Sequence, residues 1–189
     1  MRQDILHGLL PDYEIRRLAE EGDMISPFSE KCRVLGTSVG LSSFGYDVSL
    51  GYGWARPVGV PLRGGAVDVA CPTGLPKYNR FVDDCVVLDP GLFILAESAE
   101  VFCIPNDVLV LCQGKSTWAR LGISAYITTF DPGWRGRATI EISNHSGCPV
   151  ILHAGQGIAK LLFIRGAEPD SVYGGVYQDQ EGVSGPSVL

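Results

Sequence analysis

Basic charge, histidine and long apolar runs are all scarce in this sequence. Fifteen Lys and Arg stand against 21 Asp and Glu, for a net charge of −6. Such a balance provides no broad phosphate-neutralising face, which excludes general nucleic-acid binding, although a local cluster can still hold a small anion. No apolar run reaches the roughly 18 residues of a membrane span. Met1-Arg2-Gln3-Asp4 lacks a basic region followed by an apolar core, so no signal peptide is expected and a cytoplasmic location is the default. Only 3 histidines occur. His145-Ser146-Gly147-Cys148 has ligand-like spacing, but no second pair supports it, so no protein-bound zinc is expected. The 6 cysteines, at positions 32, 71, 85, 103, 112 and 148, form no C-x-x-C pair. Their apolar neighbours favour buried reduced thiols over disulfides or metal.

Glycine and proline, by contrast, are plentiful, at 24 and 12. Turns at that frequency favour short strands over long helices. The 189 residues, 46% of them apolar, suffice for one folded domain spanning 1–189. Pro11-Asp12 predicts a helix through about Glu21, with Gly22 as its stop. From Phe28 the pattern turns to strands. Tyr46–Leu50, Cys85–Leu88, Leu92–Ala96, Glu100–Ile104, Val108–Gln113, Ile123–Phe130, Arg137–Ser143, Pro149–Leu152 and Ile158–Ile164 are the candidates. A turn at Glu97-Ser98 is expected to divide the fourth from the third. Residues 51–82 read as an irregular excursion with short strands such as Ala66–Val69, and Ser116–Leu121 as one or two helical turns. The reading is a mainly β sandwich, jelly roll or barrel. The polar end, 174–189, reads as a flexible tail unless something holds it down.

The stretch from Gly114 to Asn144 carries the candidate chemistry. Gly114-Lys115-Ser116-Thr117 is not a P-loop, because Leu109 stands where the first glycine is required. A glycine, two hydroxyls and an ammonium at a helix start nevertheless suit a phosphate, as they also suit an ordinary helical turn with a surface lysine. Arg120 follows Ser116 by one helical turn and reads as an anion clamp or as a solvated arginine. In Arg137–Ser143, alternation puts Arg137, Thr139, Glu141 and Ser143 on one face. Glu141 reads either as part of a wetted sheet face or as a general acid or base lining a cleft.

The chain resembles the dCTP deaminases, which share a fold with trimeric dUTPases. The resemblance rests on Ser42–Val48, Ile104–Val108, Gly114–Gly122, Asp131–Gly136, Thr139–Asn144 and the closing Val176–Gly182, in that order, with 51–82 the least comparable part. It implies a distorted β-barrel of jelly-roll, dUTPase-like type with a short N-terminal helix, assembled as a homotrimer with sites between subunits. It further implies hydrolytic deamination of dCTP to dUTP and ammonia without zinc. The H-x-E and P-C-x-x-C pattern of zinc deaminases is indeed absent. Mg²⁺ would arrive with the triphosphate rather than on protein ligands. By position, Glu141 matches the proton-transferring glutamate, Ser116 the serine that positions water, and Arg120 the arginine beside the reacting centre. Lys115, Ser116 and Thr117 match the phosphate-binding run. Ile127 and Thr128 match the strand whose backbone reads the base. Asp131 and Trp134 fall at the sugar and base, and Tyr173 and Gln180 in the closing tail.

Two departures stand out. Val176 occupies a position that is usually lysine in the family, and Glu181 one that is often glutamine or arginine. Losing a charge-assisted bond to phosphate costs about 1.5–3 kcal/mol, and Lys160 is expected to compensate in part. The alternatives are a bifunctional enzyme yielding dUMP, a dUTP diphosphatase using Asp47 or Asp131, and a non-catalytic nucleotide-binding regulator.

Overall fold

The computed structural model describes residues 7–58, 67 and 75–187. The expected strand at 66–69 falls, apart from Val67, outside the described residues, as does Cys71. The first elements are β1 (Gly8–Leu9), α1 (Asp12–Gly22), β2 (Ile25–Ser26), β3 (Cys32–Val34), β4 (Thr37–Leu41) and β5 (Tyr46–Val58). Next come β6 (Lys77–Val82), β7 (Cys85–Leu88), β8 (Phe93–Cys103), β9 (Val108–Gly114) and α2 (Ser116–Arg120). The last are β10 (Ile123–Tyr126), β11 (Arg135–Asn144), β12 (Val150–His153) and β13 (Gly157–Arg165).

Helix α1 forms where expected. Asp12 and Glu14 lie in its first turn, where carboxylates oppose the positive end of the helix dipole. Ile15, Leu18 and Ala19 make its buried face. Gly22 is its last residue, and Asp23 takes the left-handed cap at φ 52°.

The strands make a largely antiparallel sheet whose main path runs β1-β13-β5-β8-β11-β10, with β2, β3, β4, β6 and β9 attached off it. β7 and β12 form a separate pair. Strands β1 and β10 end the path, so the described strands do not close into the expected barrel. Trp54, Tyr46, Phe102 and Phe163 are the largest fully buried side chains of the core between its layers.

Three expectations require correction. First, β8 runs unbroken through Glu97-Ser98. The buried Ser98 hydroxyl donates to Glu100 O and accepts from Ala138 N, replacing ladder bonds where the pairing of β11 with β8 shifts between Arg137 and Thr139. A polar pair that reads as a turn thus serves as a bulge. Second, 51–58 and 77–82 are more regular than expected: β5 continues to Val58 and pairs with β6 from Gly53↔Val82 to Val58↔Lys77. Third, β10 stops at Tyr126 rather than reaching Phe130, which rejoins only through an isolated bridge to Val110. The cysteines also differ from expectation. Cys32 and Cys148 are exposed and Cys85, Cys103 and Cys112 half-buried, all as free thiols.

Candidate active site

Strand β11 sets the site. Its alternation buries Ala138, Ile140 and Ile142 and leaves Arg137, Thr139, Glu141 and Ser143 half-buried on the other face. Glu141 lies between Leu95 of β8 and Tyr126 of β10 in the ladder. It opens into a cavity of about 560 Å³, shared with Asp131, Trp134, Thr139, Tyr173 and Gln180. Residues Ile127 to Phe130 form another wall. Because β10 ends at Tyr126, the backbone of 127–129 leaves the ladder beside Glu141. The shorter strand therefore has a consequence for function: amide groups not committed to a neighbouring strand can read a polar ring edge.

Burial raises the Glu141 carboxyl above its ordinary range, opposed only by a hydrogen bond from its own backbone. A carboxyl raised in this way is better suited to taking and returning a proton than a free one. Its charge reaches its neighbours. Burial first, and Glu141 second, raise the Tyr78 phenol and push the Cys112 thiol up to about 12. The Cys112 thiol donates to Thr128 O at 3.3 Å, tying that wall to β9.

The C-terminal segment is held down. Trp134 Nε1 donates to Tyr177 O at 2.9 Å, and Gln178 Nε2 to Gly133 O at 2.9 Å. Gln180 Nε2 reaches Thr139 Oγ1 at 2.7 Å and Arg137 O at 2.8 Å. Gln180 runs parallel to Gly136, whose φ of +141° and bare Cα permit the approach; a Cβ there would lie 2.8 Å from Gln180 N. Farther on, Val183 is buried against Ala55 and Leu95. Val176 is exposed, and Glu181 borders a second cavity with Arg135 and Arg137.

The other half of the proposed site lies elsewhere. Ser116, Thr117 and Arg120 are exposed on α2, which packs on β10 and is anchored by Trp118 Nε1 donating to Gly157 O at 2.8 Å. None of them lines the Glu141 cavity. Lys115 turns inward: its Nζ lies 2.8 Å from Asp47 Oδ2 and 2.8 Å from Ser38 Oγ. Its charge is therefore matched within the chain. Lys160 donates to Ser42 Oγ at 2.7 Å and, like Val176, does not line the cavity. Among the described lining residues there is no Lys, Arg or His, and the two ionisable carboxyls are Asp131 and Glu141.

The sequence reading did not include Tyr78, Phe93, Thr139 or Tyr177 among the site residues, yet all four line the cavity. For Thr139 the signal was available, since alternation puts it on the face of Glu141. For Tyr78 there was none, because its segment reads as irregular. Among the described residues, no group of three or more His, Cys, Asp or Glu is arranged to hold a metal ion, and no helix is long and apolar enough to cross a membrane.

A family model described as dCTP deaminase-like matches residues 9–166. A protein named dCTP deaminase from Campylobacter fetus is 41% identical, over 96% of this chain and 99% of its own. Another of that name, from Herpetosiphon aurantiacus, is 40% identical over 94% and 97%. Among solved structures, the 2'-deoxycytidine 5'-triphosphate deaminase from Agrobacterium tumefaciens superposes with a TM-score of 0.61 at 20% identity. That match covers 85% of this chain and 47% of the longer one, and it speaks for the fold alone. With most of its length matched by the family model and by these relatives, this chain belongs to the dCTP deaminase-like family.

Proposed function

We propose that this chain is a dCTP deaminase, converting dCTP and water to dUTP and ammonia and so supplying deoxyuridine nucleotides for thymidylate synthesis. The observation that carries the reading is Glu141, half-buried with a raised carboxyl pKa, in a cavity beside the backbone of 127–129, which lies outside β10. Glu141 takes a proton from water as the oxygen bonds to C4 and delivers one to the ring nitrogen. Glu141 then takes the proton of the new C4 hydroxyl and passes it to the exocyclic nitrogen; the C4–N bond breaks as the C4 carbonyl forms, and ammonia leaves. Backbone groups of Ile127 and Thr128 distinguish the amine of cytosine from the carbonyl of uracil. Asp131 and Trp134 hold the sugar and base, and Tyr173 and Gln180 keep bulk water out.

A cavity with no Lys, Arg or His among its described lining residues needs positive charge from elsewhere to take a triphosphate. A second copy presenting Ser116, Thr117 and Arg120 supplies it, which is why a homotrimer with sites between subunits is part of the proposal. Mg²⁺ accompanies the nucleotide through its phosphate oxygens and neutralises part of their charge. Incubation with a panel of deoxynucleotides and Mg²⁺, with all products resolved by chromatography, tests the reading. dUTP and ammonia from dCTP support it, and no turnover of dCTP rejects it.

A second reading is a bifunctional enzyme yielding dUMP. It is favoured by Asp131, a second carboxylate on the wall of the Glu141 cavity. Asp47, the other candidate for activating water at phosphorus, is occupied by Lys115 and Ser38. Pyrophosphate released together with ammonia distinguishes this case.

A further inference from the structure

One wall of the Glu141 cavity comes from a segment that carries none of the site motifs. Tyr78 lies on the edge strand β6, opposite Pro57 of β5. Its ring meets Phe93 edge to face, with centroids 6.5 Å apart and planes at 69°. It packs on Ala55, Leu95 and Val183, so strand and tail residues hold it together. The tail also passes close to the ring: a Cβ on Gly185 would lie 3.0 Å from Tyr78 Cδ2. A bare glycine therefore lets the docked segment rest on the aromatic face.

The phenol and the proton-transfer carboxyl line one cavity. The negative charge of Glu141 opposes ionisation of Tyr78, after the larger effect of burial, so the two are near enough to sense each other. No hydrogen bond joins them among the described residues: the one bond acting on Glu141 is from its own backbone. Both line the cavity, and a phenol O–H directed to a ligand there is a donor with an apolar body.

We propose that Tyr78 is a substrate-contacting specificity residue, donating its O–H to an acceptor on the pyrimidine edge while its ring, held under the tail, closes the cavity behind the base. The inference rests on the reading that the Glu141 cavity takes the nucleotide. It adds that strand β6, rather than the shared motifs alone, shapes recognition. Because the ring is wedged between Phe93 and the tail, it also links docking of the tail to closure around the base.

The test uses the full chain, dCTP with Mg²⁺, and the variants Tyr78→Phe, Tyr78→Ala and Glu141→Gln. Tyr78→Phe keeps the ring and removes one neutral hydrogen bond. KM is expected to rise about 3- to 10-fold, with kcat within about twofold and an unchanged unfolding midpoint. The same factor is expected in calorimetric binding of dCTP when Tyr78→Phe is added to Glu141→Gln. Tyr78→Ala should raise KM further and expose the tail to protease. Unchanged KM and binding in Tyr78→Phe, with Glu141→Gln inactive, overturns the role of Tyr78. Full activity in Glu141→Gln overturns the underlying site instead.

Discussion

Lys115 Nζ lies 2.8 Å from Asp47 Oδ2, and both side chains are about nine-tenths buried. The pair joins the end of β9 to β5, and Ser38 completes it with hydrogen bonds to both partners. Removing one member of a buried pair leaves the other unmatched, at a cost of about 3–5 kcal/mol. Lys115→Ala should therefore lower the denaturation midpoint markedly. A midpoint equal to wild type, with a raised KM, would show that the lysine serves phosphate instead.

Glu141→Gln tests proton transfer. The variant keeps shape and hydrogen bonding but cannot exchange a proton, so ammonia release should fall at least about 100-fold while dCTP still binds. In the wild type, burial raises the carboxyl pKa, and its ionised form is the one that accepts from water. The acidic limb of kcat/KM should lie above the range of a free carboxyl. A limb at or below that range would contradict the assignment.

Glu100 should weigh on the pH dependence of stability between about 4.5 and 7 without taking part in the reaction. It is buried on β8 and accepts hydrogen bonds from Ser49 N and Oγ. Burial raises its carboxyl pKa from 4.5 to about 7. Between those values the folded chain keeps a proton that the unfolded chain has lost. The stabilisation is thus complete below about 4.5 and fades as the pH rises through about 7, a change of about 3 kcal/mol. In Glu100→Gln, the slope of unfolding free energy against pH across that window should flatten. Equal slopes in wild type and variant would count against this account.

The tail is fixed by close packing more than by charge. Arg135 and Asp179 pair at 2.8 Å, but with 56% and 59% of their side chains exposed. Arg135→Ala should therefore cost at most about 1 kcal/mol. Gly136→Ala instead drives a Cβ against the backbone of Gln180. Limited proteolysis should cut the C-terminal segment faster in Gly136→Ala and little faster in Arg135→Ala. The reverse order would give the salt bridge the larger part.

Lys160 offers a simpler check. Its ammonium is bound to Ser42 on the β13 side of the sheet, away from the Glu141 cavity. Lys160→Ala should leave KM for dCTP within about twofold, since no hydrogen bond to substrate is lost. A tenfold rise would mean that a neighbouring copy brings Lys160 to the phosphates.

Much of the molecule was legible because local rules suffice for it. Helix α1 follows from Pro11, its acidic first turn and its apolar spacing. The two faces of β11 follow from alternation, which already set Glu141 apart from Ile140 and Ile142. The motif order around Gly114–Asn144 identified the family. What stayed hidden depends on partners distant in sequence. Glu97-Ser98 reads as a turn until Ser98 is seen bonding across to Ala138. Ile127–Thr129 reads as strand until β10 is seen to stop short and release it. Lys115 reads as a surface lysine or a phosphate ligand, and only folding brings Asp47, distant in the chain, against it. Tyr78 carries no local signal, and only the pairing of β6 with β5 brings it to the cavity of Glu141. By itself the sequence determined which groups the chain owns and which face of each element they occupy, because these follow from side-chain chemistry and backbone period. Tertiary structure alone decided which charges are neutralised within the chain and which groups share a cavity, because both depend on contacts between distant segments.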